Sequence, residues 1–535
     1  MSELILTYGG NALTYGAGGP TLVVNGSYDP YNPLDLPPKT MRFQFENASY
    51  DPTQSSFPWK SGSSWSQVSS SPNVWDYTDP DVSWEHAFAR NNASAFASGT
   101  SGNVQVLGAN TSGVLSLAYA FSYCRALTSL ALFDTSDVRN INWVFIQCSG
   151  LTQLPTFDFS SVVTASAAFE QCTNLTGDIT INLHSGRDLD NMFGWCSNIT
   201  SVTITDIQPV QHQHGNGMFA ECSSLRTVTM PSTTAFVDTY SMFYKCSSLT
   251  SVSLFDTSHA KDMHDMFREC YALTSVPFYD TSSATDLHGF LRACTSLTSV
   301  PLFDTSHSSN LSYFLYYCSS LTSVPLFDTS NATNLSDFLA SCSALTSVPL
   351  FDTGSATNMS DFLAGCSSLT SVPLFNTSNA TNLHGFLGGC SSLTSVPMFD
   401  TSSATDMDSF FSSCSSLTSV PLVDTSNATT MFYFLYNCTS LTSVPLFDTS
   451  KATDMRYFMS GCSAVTSLPL FNTSSATTLS WAFEYCYKVE TGALAMYQQA
   501  STQATPPSHN YCFRDCGRDT ASGAAELAQI PSSWK

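Results

Sequence analysis

Sixteen cysteines, from Cys124 to Cys486, stand 24 residues apart, with a single step of 26 between Cys196 and Cys222. A period held this strictly marks a solenoid, in which each unit touches only its neighbours and the core is one continuous column. The typical unit reads CSSLTSVPLFDTSNATNLSDFLAS, residues 318 to 341. Its apolar positions change period part-way. Leu321, Val324 and Leu326 form an LxxLxL pattern suited to a short strand with alternate side chains inward. Leu335, Phe338, Leu339 and Cys342 then fall at i, i+3, i+4 and i+7, one face of a helix.

The expectation is therefore an α/β solenoid, leucine-rich-repeat-like, of about 16 coils, each a short parallel strand plus about two turns of helix. A lone coil cannot fold. Ordering costs roughly 1–2 kcal/mol per residue, and about six buried apolar side chains return only about 1.5–3 kcal/mol each. Stacked at about 4.8 Å per coil, the units would form a rod or shallow arc on the order of 75–80 Å long. A proline recurs inside the LxxLxL stretch, from Pro277 to Pro469. Since proline donates no ladder bond, very short strands with a lapse in pairing are expected there.

Only 11% of the residues are charged, against a usual share of roughly a quarter, and Ser, Thr and Asn fill the polar positions. The net charge of −23 would repel a polyanion, so nucleic acid is not an expected partner. The amino terminus lacks a basic leader before an apolar core, and nowhere do 18 apolar residues run together; neither signal peptide nor membrane span is expected.

The ends depart from the repeat. Residues 1–38 alternate apolar and small residues and finish in DPYNPLDLPP, a β-rich docking module with a Pro-rich linker. Residues 39–110 carry MRFQF, Trp59, Trp65, Trp75 and Trp84, and are expected to close the amino end of the 111–490 solenoid. Residues 491–535, with Cys512 and Cys516 off the period, are expected to be the carboxyl cap.

The units with MFxxC or FLxxC, then CSSLTSVPLFDTS, as in Asp262-Met263, Met266-Phe267 and Cys270, resemble the BspA-like leucine-rich repeats of bacterial and protist surface proteins over about residues 110–490. The resemblance implies an adhesive solenoid without a catalytic site. GGNALTYG, LPPKTMRFQFENASYDP and SSPNVWDYTDPDVSWEHAF are similar to lead-in modules of repeat proteins in phages and prophages of gut bacteria. That implies release by host lysis.

Several columns invite a chemical role. Adjacent cysteines lie within disulfide range, yet parallel side chains in one column do not face each other. Cysteine is also a readily buried small hydrophobe, so Cys318, Cys342, Cys366, Cys390 and their equivalents are expected as free thiols filling the core. His509, Cys512 and Cys516 offer three ligands but no CxxC partner pair, short of a zinc site; a packing role in the cap is expected, and His212 and His214 belong to a surface loop. The Asp column (Asp256, Asp280, Asp304, Asp328, Asp352, Asp400, Asp424, Asp448) would suit calcium between coils. Asn376 and Asn472 take the same place, however, which favours turn hydrogen bonds and leaves calcium as the alternative. Asp328, Thr329 and Ser330 bond their own turn in this reading, and Asn334 caps the helix. Sequons such as Asn331-Ala-Thr recur only because the repeat recurs. No GxSxG, HExxH or phosphate loop appears, so an enzyme is not expected, and neither a cofactor nor a metal is assigned.

Candidate binding residues lie where the repeat varies. Tyr313, Tyr433, Tyr457 and Trp481 occupy the nineteenth position after a cysteine, and Tyr316 and Tyr436 the twenty-second. Aromatics on a polar surface suit stacking on sugars or docking a protein loop. The reading is a non-enzymatic virion structural protein, a phage tail-associated or fibre-like adhesin. It would meet other tail proteins through its amino-terminal module and a host-surface glycan or protein through its solenoid, without membrane insertion; a homo-oligomer is compatible. The alternatives are an architectural virion spacer or decoration protein and a bacterial cell-surface adhesin.

Overall fold

The computed structural model describes residues 103–131, 133–155, 157–208, 213–232 and 234–535, and before them 6–8, 11–13, 36, 39–45, 51–54, 63–68, 74–81, 83–84 and 87–88. Most of the 1–38 module, Trp59 and His212 lie outside the described residues. Within the module, β1 (Leu6–Tyr8) and β2 (Asn11–Leu13) pair antiparallel.

One ladder organises the rest. Parallel bridges run through eighteen residues, one per coil, from Ser83 and Ser116 through Asn310, Asn334 and Asn358 to Thr478 and Ser508. The chain is a solenoid with repeats of about 24 residues. Its amino end is closed by a sheet of order β4-β5-β3-β6-β7, formed by β3 (Thr40–Phe45), β4 (Ser64–Gln67), β5 (Val74–Thr78), β6 (Val104–Asn110) and β7 (Leu127–Leu130). The pairing turns from antiparallel at β3·β6 to parallel at β6·β7, so the flank merges with the first coil. Phe43, Phe45, Tyr77, Trp84 and Phe88 are buried beneath it, and Arg42 Nε meets Asp76 Oδ1 at 2.6 Å on its face.

The expected helix of each coil is not there. Leu335, Phe338, Leu339 and Cys342 do share an inward face and are fully buried, but the backbone is a chain of tight turns. In the preceding coil the N–H groups of Phe314, Tyr316 and Cys318 reach back three residues to Leu311, Tyr313 and Leu315 at 3.2–3.3 Å. The alternating N–H groups of Leu311, Tyr313, Leu315 and Tyr317 instead donate to Asn334, Ser336, Phe338 and Ala340 of the next coil at 2.7–3.0 Å. An α-helix would spend all its donors on itself; this winding spends half of them on its neighbour. It requires positive φ at every fourth residue, as at Tyr313 (57°), Tyr317 (58°), Asp337 (55°) and Ser341 (61°). Glycine meets that requirement freely in other coils, as at Gly365 and Gly389.

The strand of the LxxLxL stretch also depends on one position. Where the seventh residue after the cysteine is Ala131, Ile179, Thr203, Thr229 or Ser253, a strand forms: β7, β8 (Gly177–Ile181), β9 (Ile199–Ile204), β10 (Thr227–Thr229) and β11 (Ser251–Val252), the last four as one parallel sheet. Where it is Pro155, or proline from Pro277 to Pro469, no strand is present. The expected lapse in pairing thus removes the strand altogether, because a residue without N–H breaks a ladder only two or three bonds long.

Side chains then close the coils. Thr329 Oγ1 donates to Asp352 O of the next coil at 2.5 Å, and Thr305, Thr353, Thr377, Thr401, Thr425 and Thr449 repeat the bond. Asn334 Oδ1 accepts from Ser336 N–H at 3.1 Å, capping the turn chain as it would a helix. Inside, phenylalanines stack from Phe121 through Phe193 to Phe267 on the third residue before each cysteine, and from Phe290 to Phe458 on the fourth. The columns meet edge to face at Phe267 and Phe290, 5.8 Å apart. After Cys486, α1 (Ala493–Ser501) is inserted before the turn chain resumes at Ser508, and α2 (Ala521–Gln529) and Trp534 cover the end. No described helix is long and apolar enough to cross a membrane.

All eighteen cysteines are buried and unbridged. Each repeat thiol donates to a carbonyl of the coil before it: Cys318 Sγ to Leu291 O at 3.2 Å and Cys342 Sγ to Leu315 O at 3.1 Å, with Cys366 and Cys390 alike. Burial holds these thiols neutral, pushing Cys294, Cys390, Cys438 and Cys486 up to about 12. An unfolded thiol ionises near pH 8.5. Between the two values the folded state binds more protons, so stability is complete below about pH 8.5 and falls as pH rises toward 12, by up to about 1.4 kcal/mol per thiol per pH unit. Melting curves from pH 7 to 10.5 are expected to show Tm dropping steeply above about pH 9, and thiol reagents to modify no repeat cysteine below the transition.

The turn chain also holds a carboxylate against its preference. Burial first, and then the Asp361 carboxylate of the next coil, push Asp337 up to about 6. A folded pKa above the unfolded one means that the contribution to stability is present below about pH 4 and lost as pH rises through 6. Asp337→Asn, which tolerates positive φ, should raise Tm at pH 7 and flatten the dependence between pH 4 and 6.

Candidate binding face

The proline that deletes the strand also re-aims the residues after it. Proline fixes φ, and the next-but-one N–H folds back onto its carbonyl, as in Phe327 N to Pro325 O at 3.0 Å, with the same turn at Phe303, Phe351, Phe375 and Phe447. This tight turn points the ninth residue after the cysteine inward and the eighth outward. Phe327 is buried, and Leu326, expected inward on a regular strand, is 59% exposed. Val324 packs only part-way against the core.

Repeated coil by coil, this in-out arrangement gives an uninterrupted apolar stripe, which begins one coil before the prolines, at Leu254, where Ser253 stands in place of proline and Phe255 is already buried. Ten residues, from Leu254 through Phe278, Leu302, Leu326 and Met398 to Leu470, are each 49–68% exposed. Scattered surface leucines are ordinary; a contiguous row marks an interaction surface. Two residues further on runs the Asp column. Asp328 Oδ1 accepts from Ser330 N–H at 3.0 Å and Ser330 Oγ at 2.6 Å, the turn bonding expected of it. Hydrogen bonds from the serine two residues on hold Asp280, Asp328, Asp400 and Asp448 below the usual carboxylate range, so these four are ionised at neutral pH. Met398, Leu422 and Leu446 with Asp400, Asp424 and Asp448 line a shallow groove between the two rows.

The six aromatics singled out from sequence form two groups on the turn chain, all half-buried. Tyr313 and Tyr316 pack edge to face at 5.5 Å, with the Arg292 guanidinium 4.4 Å from the Tyr313 ring. Tyr433, Tyr457 and Trp481 form a stack with centroids 4.7 and 4.9 Å apart, and Tyr436 abuts Tyr433 at 4.7 Å. Within the stack the ring faces cover one another, which leaves mainly edges for a partner.

Two groups of potential metal ligands were not evident in the sequence. The donor atoms of His264, Asp286 and His288, and those of His384, Asp406 and Asp408, lie within 4.8 Å of one another. In the first, the imidazoles stack 4.9 Å apart at 11°, so their in-plane lone pairs run side by side instead of converging. His264 Nδ1 lies 2.6 Å from Asp262, and that hydrogen bond raises its pKa. His214 stands in the bridge ladder with Nδ1 3.2 Å from Asp238. His509 stacks on Trp534 at 3.9 Å, and Cys512 and Cys516 are buried.

No curated protein matches this sequence. Two solved structures align over most of the rod. A leucine-rich cell surface protein from Faecalibacterium prausnitzii A2-165 is 18% identical over 71% of this chain and 83% of its own, with a TM-score of 0.28. A TLR13–ssRNA13 complex is 15% identical over 69% of this chain and 63% of its own, with a TM-score of 0.16. Neither superposition is close enough to carry a functional statement. The family models are more specific. Six copies of the BspA type leucine rich repeat region match residues 117–250. Overlapping matches to the family described as "Mycoplasma protein of unknown function, DUF285" span 213–326, 237–350, 310–421, 334–445 and 405–505, more than half of the chain. The chain belongs to that family, and its solenoid begins in BspA-type leucine-rich repeats.

Proposed function

We propose that this protein is a non-enzymatic adhesin, displayed on the outside of a virion or a cell, which holds a host-surface glycan or protein along its solenoid. The observation that carries this reading is the ten-coil apolar stripe beside the Asp column, a surface too long and too continuous for ordinary scatter. Each coil offers the same weak contact, and a rigid column adds such contacts without further ordering cost. The aromatic groups around Tyr313 and Tyr457 supply a second row of contacts.

Two carriers fit this role. The resemblance of the amino-terminal residues to phage lead-in modules favours a tail-associated protein docked to its virion through residues 1–38. The BspA-type repeats favour a bacterial cell surface. Immunogold labelling of particles and of cells separates the two.

Beads coated with the purified protein should be retained on host cells or on a glycan array. Leu326→Ser, Leu350→Ser and Leu374→Ser together are expected to lower retention at least fivefold with Tm unchanged. A protein that is retained nowhere is an architectural spacer.

A further inference from the structure

Where proline abolishes the strand, main-chain groups stay open beside the stripe. Among the described residues no group accepts the N–H of Leu326, Leu350 or Leu374, and each of these residues is 59% exposed. Two residues on, the acidic column forms the other wall of the groove. Residues 293–450 contain ten aspartates and no Lys or Arg. Six of the aspartates, Asp304, Asp328, Asp352, Asp400, Asp424 and Asp448, make up this exposed row. Oδ1 is held by the turn, as at Asp304, where Ser306 N–H and Oγ donate to it.

The spacing of the coils on this side selects a conformation. Backbone bonds hold successive turn chains together, and the coils spread from there toward the stripe. Equivalent rings are 5.8 Å apart at Phe338 and Phe362, but 6.5 Å apart from Phe327 to Phe351 and from Phe351 to Phe375, beside Leu326, Leu350 and Leu374. Same-side residues recur at about 6.4–6.8 Å along an extended strand and at about 5.4 Å along an α-helix. Over three coils a strand keeps step to within about 1 Å, whereas a helix slips by about 3 Å.

Charge selects the composition. A second copy of the chain would set one acidic row against another and is opposed by the net charge of −23. The chain's own residues 1–38 are no better suited, since they bring Glu3, Asp29 and Asp35 and no Lys or Arg. An extended segment turns successive side chains to opposite sides. Laid in the groove, it meets the leucines with one set and the aspartates with the other.

Deepening the adhesin reading, and resting on its assignment of the stripe as the binding face, we infer that the groove seats an extended segment of a partner protein in which apolar and basic residues alternate, one pair per coil. The apolar residues lie on the leucine row and the Lys or Arg residues on the Asp column. The carbonyls along one edge of such a segment recur with the period of the open N–H groups. Recognition is then strand-like, with main-chain groups and alternate side chains both engaged and charge setting the orientation.

The test uses the full chain and three peptides of equal length, by fluorescence anisotropy at low salt and at high salt, at concentrations where sedimentation shows each peptide monomeric. One peptide alternates Leu and Lys, the second has the same composition with Leu placed on one face of a helix, and the third alternates Leu and Glu. The alternating Leu/Lys peptide should bind at least tenfold tighter than the helical-period one, weaken with salt, and outcompete the Leu/Glu peptide. Leu326→Ser with Leu350→Ser and Leu374→Ser should cost at least tenfold. Asp304→Asn with Asp328→Asn and Asp352→Asn should cost at least threefold; Asn376 and Asn472 already occupy that column, so the fold accepts this set and it decides the matter even if the serine set unfolds.

Equal or tighter binding of the helical-period peptide, or binding indifferent to both sets of substitutions, overturns the inference. So does a dimer of the chain in sedimentation that the serine substitutions abolish, since the stripe would then seat a second copy. If the serine set lowers retention on cells while no peptide binds, the adhesin reading stands and the extended segment falls. If the alternating peptide binds through the stripe while retention on cells ignores it, the extended segment stands and adhesion falls.

Discussion

Every coil must find partners for about two dozen backbone donors and acceptors without a helix and, from Pro277 onward, without a sheet. Buried polar groups left unpaired cost more than most packing returns, so this requirement shapes the whole molecule. It is met three ways: half the turn-chain N–H groups close tight turns, the other half reach the next coil, and hydroxyls and thiols collect remaining carbonyls. The scarcity of charge follows. The side chains a coil needs are short, neutral donors, and Ser, Thr, Asn and Cys are those residues; Lys and Glu carry charges that are costly to bury, and Lys245 and Glu221 bridge adjacent coils only at the surface.

The architecture was legible in the sequence because a strict period leaves few alternatives to stacking, and the inward face was read correctly from Leu335, Phe338, Leu339 and Cys342. What was not legible was the backbone beneath that face. Spacing of i, i+3, i+4, i+7 reports which side chains share a side, not where the N–H groups go, and a chain of turns satisfies it as well as a helix does. The signal against a helix was present at Gly289, Gly365, Gly385 and Gly461, glycines placed mid-segment where a helix would lose about 1 kcal/mol each.

The stripe was missed for a related reason. LxxLxL invites the alternation of a regular strand, and by that rule Leu326 points in. Phe327, apolar and adjacent, already conflicted with it, since two neighbours on a strand cannot both face the core. The turn at Pro325 gives the phenylalanine the inner place, and the coil with Ser253 seats Phe255 the same way without a proline. The variable aromatics drew attention by breaking the repeat, whereas the ten-residue exposed apolar row is built from positions that obey it.

The interlocking of thiol, threonine and turn bonds has a consequence for length. Each coil in the central run makes the same contacts with the one before and the one after, so removing or duplicating a 24-residue unit brings together surfaces that already match. The molecule can be shortened or extended like a zip, without redesign of either end, and the gene can alter the reach of the rod by recombination between its near-identical segments.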